Sequence, residues 1–161
     1  MRYGWTMMMA AAMAGCSASD RSEPARAAAP VSDEPITYSS GSCYGMCPVF
    51  TVTATPQGGT FHGGAFTAQP GEHRFALTPE QYRRFAAALA PFRPKGERLI
   101  ADGSPDCGAA HTDDNSVNVT WGKGDRLALY YGCENVGLAE MKRVLSDATD
   151  LLPIRAFIMR R

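Results

Sequence analysis

Apolar residues recur in two rhythms along the chain, and the changes of rhythm mark its elements. Ile36-Thr37-Tyr38-Ser39 predicts a short strand. Val49 to Thr55 alternates, with Phe50, Val52 and Ala54 on one face and Thr51, Thr53 and Thr55 on the other. That pattern predicts a half-buried strand of β-favouring residues. Pro56-Gln57-Gly58-Gly59 supplies a turn. Thr60–Ala68 and His73–Leu77 read as two further strands, the first weakened by Gly63-Gly64. Thr78-Pro79-Glu80-Gln81 opens a helix: Thr78 caps, Pro79 suits the first helical position, and Gln81 completes a capping box. Tyr82, Phe85, Ala86 and Leu89 then fall at i, i+3, i+4, i+7 on one helix face, and Pro91 ends it. Residues 93–115, with Pro94, Gly96, Gly103, Pro105 and Gly108, read as irregular. Loops beyond about 12–15 residues are uncommon in compact domains and are often functional or pinned. Alternation returns at Asn115–Trp121, turns at Gly122-Lys123-Gly124-Asp125, and is answered by Leu127, Leu129 and Tyr131, which predicts a hairpin. A last helix carries Leu138, Met141, Leu145, Ala148 and Leu152 and ends before Pro153. The sum is an α+β domain: an antiparallel sheet built from hairpins, with two packed helices.

The first 35 residues follow neither rhythm. Arg2 gives a short positive start, and an apolar stretch runs from Tyr3 to Ala14. As a helix it rises only about 20 Å, too short for a bilayer core of about 30 Å, and it fits the core of a signal peptide. It ends in Met13-Ala14-Gly15-Cys16, which resembles the lipobox of bacterial lipoproteins, with Met where Leu is usual. The resemblance implies that Cys16 becomes the lipidated first residue of the mature chain; the alternative is an ordinary secretory signal followed by a chance Cys. Ser17 to Pro35 is rich in Ala, Ser, Pro and mixed charges and reads as a tether. The expected organisation is a signal peptide over 1–15, a lipidated Cys and tether over 16–35, and a single α+β domain over 36–158. By the same resemblance, Ser17 in place of Asp leans toward the outer membrane over the inner. The expected address is therefore the cell envelope, lipid-anchored on the periplasmic side, with the membrane as partner through Cys16.

Composition narrows the function classes. A length of 161 residues suits one domain and at most a tail. The 16 Lys+Arg balance the 16 Asp+Glu, which argues against a polybasic nucleic-acid partner. Five of the eight Met residues fall in the expected signal peptide, so the apparent Met richness is not a copper-binding composition.

After Cys16 four cysteines remain: Cys43, Cys47, Cys107 and Cys133. Outside the cytoplasm disulfides persist, and an even count favours two bridges among three possible connectivities. We favour Cys43–Cys47 with Cys107–Cys133. Four extended residues span about 13 Å, so the first pair closes only if Tyr44-Gly45-Met46 turns, which Gly45 permits. The second pair pins the long loop to the end of the hairpin. The short bridge is the candidate for a labile, redox-active one, and the long bridge for a structural one.

The stretch Ser42-Cys43-Tyr44-Gly45-Met46-Cys47-Pro48-Val49-Phe50 resembles an uncharacterised family of bacterial domains of unknown function. Its members carry C-[YF]-G-x-C-P-x-[YF] entering a Thr/Val-rich strand and are often lipoproteins. The likeness extends through the Gly-turn hairpin, the Thr78 helix, Thr112-Asp113 and Tyr130-Tyr131-Gly132-Cys133, most of residues 36–150. It implies the α+β fold and assigns no catalytic residue.

Cys43-x-x-x-Cys47-Pro48 is similar to the motif of thioredoxin-like copper chaperones, with Met46 inside it and His62 or His111 as a nitrogen donor. There the motif opens a helix; here a strand follows. Redox Cys-x-x-Cys motifs also sit at a helix start, with tighter spacing. Asp113-Asp114 reads as a solvated turn, His62, His73 and His111 have no ligand spacing, and Gly-x-Ser-x-Gly is absent. Trp121 belongs with the buried face, while Tyr130-Tyr131 could meet a ligand. The expectation is a non-enzymatic binding or structural domain with an envelope ligand or protein as partner and no cofactor or metal. The alternative is a thiol–disulfide or copper-handling protein using Cys43 and Cys47.

Overall fold

The computed structural model describes Met1 and residues 32–159. Cys16, the expected signal peptide and the tether through Val31 lie outside the described residues. Seven strands form one sheet: β1 (Ile36–Ser40), β2 (Phe50–Thr55), β3 (Gly58–Gly63), β4 (Gly71–Phe75), β5 (Glu97–Ile100), β6 (Ser116–Trp121) and β7 (Asp125–Tyr130). Their order is β4-β3-β2-β1-β6-β7-β5, antiparallel throughout except that β5 runs parallel to β7. With helices α1 (Pro79–Leu89) and α2 (Ala139–Asp147) this is the expected α+β architecture.

Alternation decides which face is dry. Ile36 and Tyr38 of β1, Phe50, Val52 and Ala54 of β2, and Val117, Val119 and Trp121 of β6 are buried together. Against them pack Tyr82, Phe85, Ala86 and Leu89 of α1, and Met141 and Leu145 of α2. Each Val, Leu, Ile, Phe or Met side chain among them taken fully from water contributes about 1.5–3 kcal/mol. The opposite face carries short hydroxyls that pair across strands, Thr37 with Thr53 and Ser39 with Thr51, each at 3.0 Å. The capping box forms as read: Gln81 N–H donates to Thr78 Oγ1 at 3.2 Å, and Thr78 N–H donates to Gln81 Oε1 at 2.9 Å.

Several boundaries differ from the reading. The expected strand Thr60–Ala68 occupies Gly58–Gly63. Beyond it the loop folds back over the strand so closely that a Cβ on Gly63 would lie 2.2 Å from the Gln69 carbonyl oxygen, which only glycine accommodates. The expected strand His73–Leu77 sits two residues earlier, at Gly71–Phe75, in register with β3. The stretch 93–115 is not wholly irregular: it contains β5, whose partner lies some 30 residues downstream. The last helix is α-helical only over Ala139–Asp147 and tightens into a 3-10 turn over Ala148–Leu151. A further short helix, α3 (Arg155–Ile158), follows Pro153.

Arg93 locks the entry of the domain. Its Nε donates to Asp125 Oδ2 at 2.5 Å, its terminal nitrogens reach Glu34, and its guanidinium lies 6.0 Å from the Trp121 ring centroid. The Glu34 carboxyl is held below its ordinary 4.5 by hydrogen bonds from Ser32 and Arg93. Asp125 is held below 3.8 by the Gly96 N–H and by Arg93. Folded values below unfolded ones mean stability present above the ordinary values and lost as pH falls through the depressed ones. Arg93→Met is therefore expected to lower Tm modestly at neutral pH, since the pairs face solvent. The difference from the parent is expected to shrink below about pH 4. A thermal melt series in acid checks this, and a pH-independent difference would refute it.

Candidate functional site: a cleft beside the Cys43–Cys47 turn

Seven strand termini meet at one end of the sheet, Ile100 of β5 beside Leu129 of β7 among them. Ser40 ends β1 opposite Phe50, which begins β2; Gly63 ends β3 opposite Gly71 of β4; and Ser116 begins β6 opposite Tyr130, which ends β7. The connections at this end carry most of the chemistry singled out in the sequence.

The connection between β1 and β2 holds the Cys43–Cys47 bridge, with Cα atoms 5.7 Å apart. Gly45 turns it at φ +146°, a conformation that side chains disfavour. The turn leans on its neighbours through the Tyr44 N–H, which donates to Asp113 O at 3.2 Å, and the Val49 N–H, which donates to Ala65 O at 2.9 Å. Its two large side chains point away from the fold: Tyr44 is 89% and Met46 81% exposed. The second bridge, Cys107–Cys133, has Cα atoms 4.8 Å apart and is buried in the core. The two bridges thus occupy opposite environments, one half-exposed at the surface and one dry.

Tyr130 and Tyr131 divide their work. Tyr130 Oη donates to His111 O at 2.6 Å and accepts the Asp114 N–H at 3.3 Å, which shapes the loop before β6. Tyr131 instead faces a cleft of about 410 Å³. The cleft floor is Tyr38, Phe50, Val117 and Tyr131. One wall is Pro48, Asp114 and Asn115; the other is Asp147, Thr149 and Asp150, at and beyond the C-terminus of α2, with Arg155, Ile158 and Met159. Tyr38 Oη donates to Leu145 O at 2.9 Å, and Tyr131 Oη donates to Lys142 O at 3.3 Å. Burial pushes both phenols well above their ordinary range. They therefore stay neutral and serve as anchors of α2 on the sheet rather than as acids or bases.

The other candidates are not gathered here. His62 lies on β3 across from Thr51, His73 stacks on Phe157 at 5.3 Å, and His111 Nε2 lies 3.1 Å from Glu134 Oε1. Trp121 is buried, as its alternation requires. Among the described residues no three His, Cys, Asp or Glu side chains converge as a metal site. Of the Asp113-Asp114 pair, only Asp114 lines the cleft. Asp147, Asp150 and Arg155 escaped the sequence reading. The available signal was two carboxylates closing a helix, where the macrodipole favours cations.

Residues 34–149 match a family described as a domain of unknown function (DUF6438). No curated protein and no solved structure matches the chain.

Proposed function

The chain belongs to the DUF6438 family, a domain of unknown function, and on that premise we propose a lipid-anchored envelope protein whose domain binds a partner without catalysing a reaction. It is held through Cys16 on the periplasmic side, at the outer membrane in preference to the inner. The observation that carries the binding reading is the Cys43–Cys47 turn, which holds Tyr44 and Met46 out in water. Side chains so exposed add little to folding, whereas Tyr and Met are enriched at the cores of interfaces. A covalent ring that fixes them in advance reduces the conformational freedom lost on docking. The lipobox-like Met13-Ala14-Gly15-Cys16 supports the anchor, and two disulfides agree with an oxidising compartment.

Photo-cross-linking in intact cells tests both parts. A benzoylphenylalanine placed at Tyr44 is expected to give discrete adducts. The same group at Gln57, in the turn between β2 and β3 at the other end of the sheet, is expected to give none. Cys16→Ser is expected to move the protein out of the membrane fraction. Equal, diffuse labelling from both positions would remove the binding reading, and unchanged membrane partition of Cys16→Ser would remove the anchor.

A second reading, thiol–disulfide exchange at Cys43–Cys47, has in its favour the half-exposure of that bridge beside a buried one. Copper handling by the same pair requires both thiols reduced.

A further inference from the structure

We propose that the cleft beside the Cys43–Cys47 turn docks a basic segment of a partner protein, a Lys or Arg entering the cleft while neighbouring apolar side chains rest on its wall and the adjoining loops. This rests on the binding reading above and names the site and the class of partner.

Charge selects the entering group. The cleft presents three carboxylates, Asp114, Asp147 and Asp150, against one guanidinium, Arg155. Two of those carboxylates sit at the end of a helix, where a negative charge is unfavourable. Asp147 closes α2 and Asp150 lies in the 3-10 turn that continues it, and no basic side chain occupies the last turn of the helix. A negative charge at a helix C-terminus opposes the macrodipole. Arg143 reaches Asp147 at 3.4 Å, but both side chains are exposed, so that pair offsets little. An incoming cation meets carboxylates that the end of α2 and its 3-10 continuation bring to one wall of the cleft.

Exposed apolar side chains on the wall and the adjoining loops select the rest of the partner. Besides Tyr44 and Met46, Phe66 is 57% and Met159 58% exposed. Phe66 stands in the loop after β3, which is tied to the β1–β2 connection through Gly64 N–H to Val49 O at 2.8 Å. That loop is also tied to α3, where the Gln69 N–H donates to Phe157 O at 3.0 Å. Phe66 has φ +60°, which a bulky residue adopts only at a cost of about 1–2 kcal/mol. Met159 on the cleft wall, with Tyr44, Met46 and Phe66 exposed on loops joined to its walls, matches a peptide that mixes basic and apolar residues. The same carboxylates repel anionic lipid headgroups, so a membrane surface fits less well.

A random dodecapeptide phage library, panned on the full chain in non-ionic detergent and in parallel on Asp147→Asn/Asp150→Asn, tests the inference. Selected sequences are expected to pair Lys or Arg with Leu, Ile or Phe. Synthetic copies are expected to bind the double variant about tenfold more weakly and to lose affinity with added salt. The double variant is expected to melt no lower than the parent; should it fail to fold, Asp150→Asn alone carries the comparison. Peptides that need Tyr44 and Met46 but show no basic enrichment would overturn the cleft inference and leave the binding reading standing. No enrichment on the parent chain would overturn both. Flotation with phosphatidylcholine–phosphatidylglycerol vesicles that depends on Phe66, with the lipid anchor absent, would overturn the peptide partner in favour of a membrane surface.

Discussion

Replacing Phe61 by alanine is expected to destabilise the domain by about 3–5 kcal/mol, the largest effect of any single substitution considered. Phe61 is fully buried and stands at the centre of a row of aromatic rings. Tyr38 stacks on Phe50 at 6.1 Å, Phe50 on Phe61 at 5.4 Å, and Phe61 meets Phe157 of α3 at 5.4 Å. The row joins three strands to the C-terminal helix, so truncation leaves a cavity that rigid strands on both sides cannot close. Each aromatic pair adds about 0.5–1.5 kcal/mol beyond its burial. For a domain of this size the Tm should fall by roughly 10–20 °C, read by calorimetry or denaturant titration. Thr60→Ala, on the open face one residue away, should stay within about 0.5 kcal/mol of the parent. A loss below about 1.5 kcal/mol for Phe61→Ala would mean that the core repacks and the ring row is not its keystone. Tyr38 and Phe50 also floor the cleft, so Phe61→Ala should loosen the site as well as the fold.

The second large effect belongs to the buried bridge. Substituting Cys107 and Cys133 together by alanine should cost about 3.5 kcal/mol, against about 2 kcal/mol for Cys43 with Cys47. The chain-entropy model ranks them by loop length, with sequence separations of 26 and 4. Burial points the same way, since Cys107 N–H donates to Ser104 O and the Asn135 N–H to Cys107 O, so the long loop is tied down around its bridge. Chemical denaturation of the two double variants gives the ranking, and an inverted order would refute it. A glutathione series read by alkylation extends the comparison. Both bridges are expected to show midpoints below about −300 mV, as inert structural disulfides do. A midpoint for Cys43–Cys47 near −120 to −200 mV would instead place it with the exchange-active disulfides and promote the second functional reading.

The parts of the site that could be read in advance are those whose chemistry is local. Cys43, Gly45 and Cys47 announce a tight covalent turn because three residues separate the thiols and the middle one is glycine. Tyr131, at the end of the second hairpin strand beside a conspicuous Tyr130, lines the cleft. Asp114 was read as part of a solvated turn, and its place on the cleft wall depends on Tyr130 holding the loop. Asp147 and Asp150 looked like the polar flank of a helix, which they are; what they face is set by how α2 lies across the sheet.

Legible along the chain are the strands and helices whose signals lie within a turn or two of each residue. The alternation of Phe50, Val52 and Ala54, the capping box of Thr78 and Gln81, and the period of Tyr82, Phe85 and Leu89 each bring their own burial or hydrogen bond. Tertiary structure decided β5, the stop of β3 at Gly63, the split of the last helix and the cleft. Those features depend on partners far along the chain: β5 on β7, Gly63 on the loop carbonyl of Gln69, and the cleft on strand ends and a helix C-terminus brought together by Tyr38 and Leu145. Burial and close approach between distant segments fix them, and no local pattern records which segments will meet.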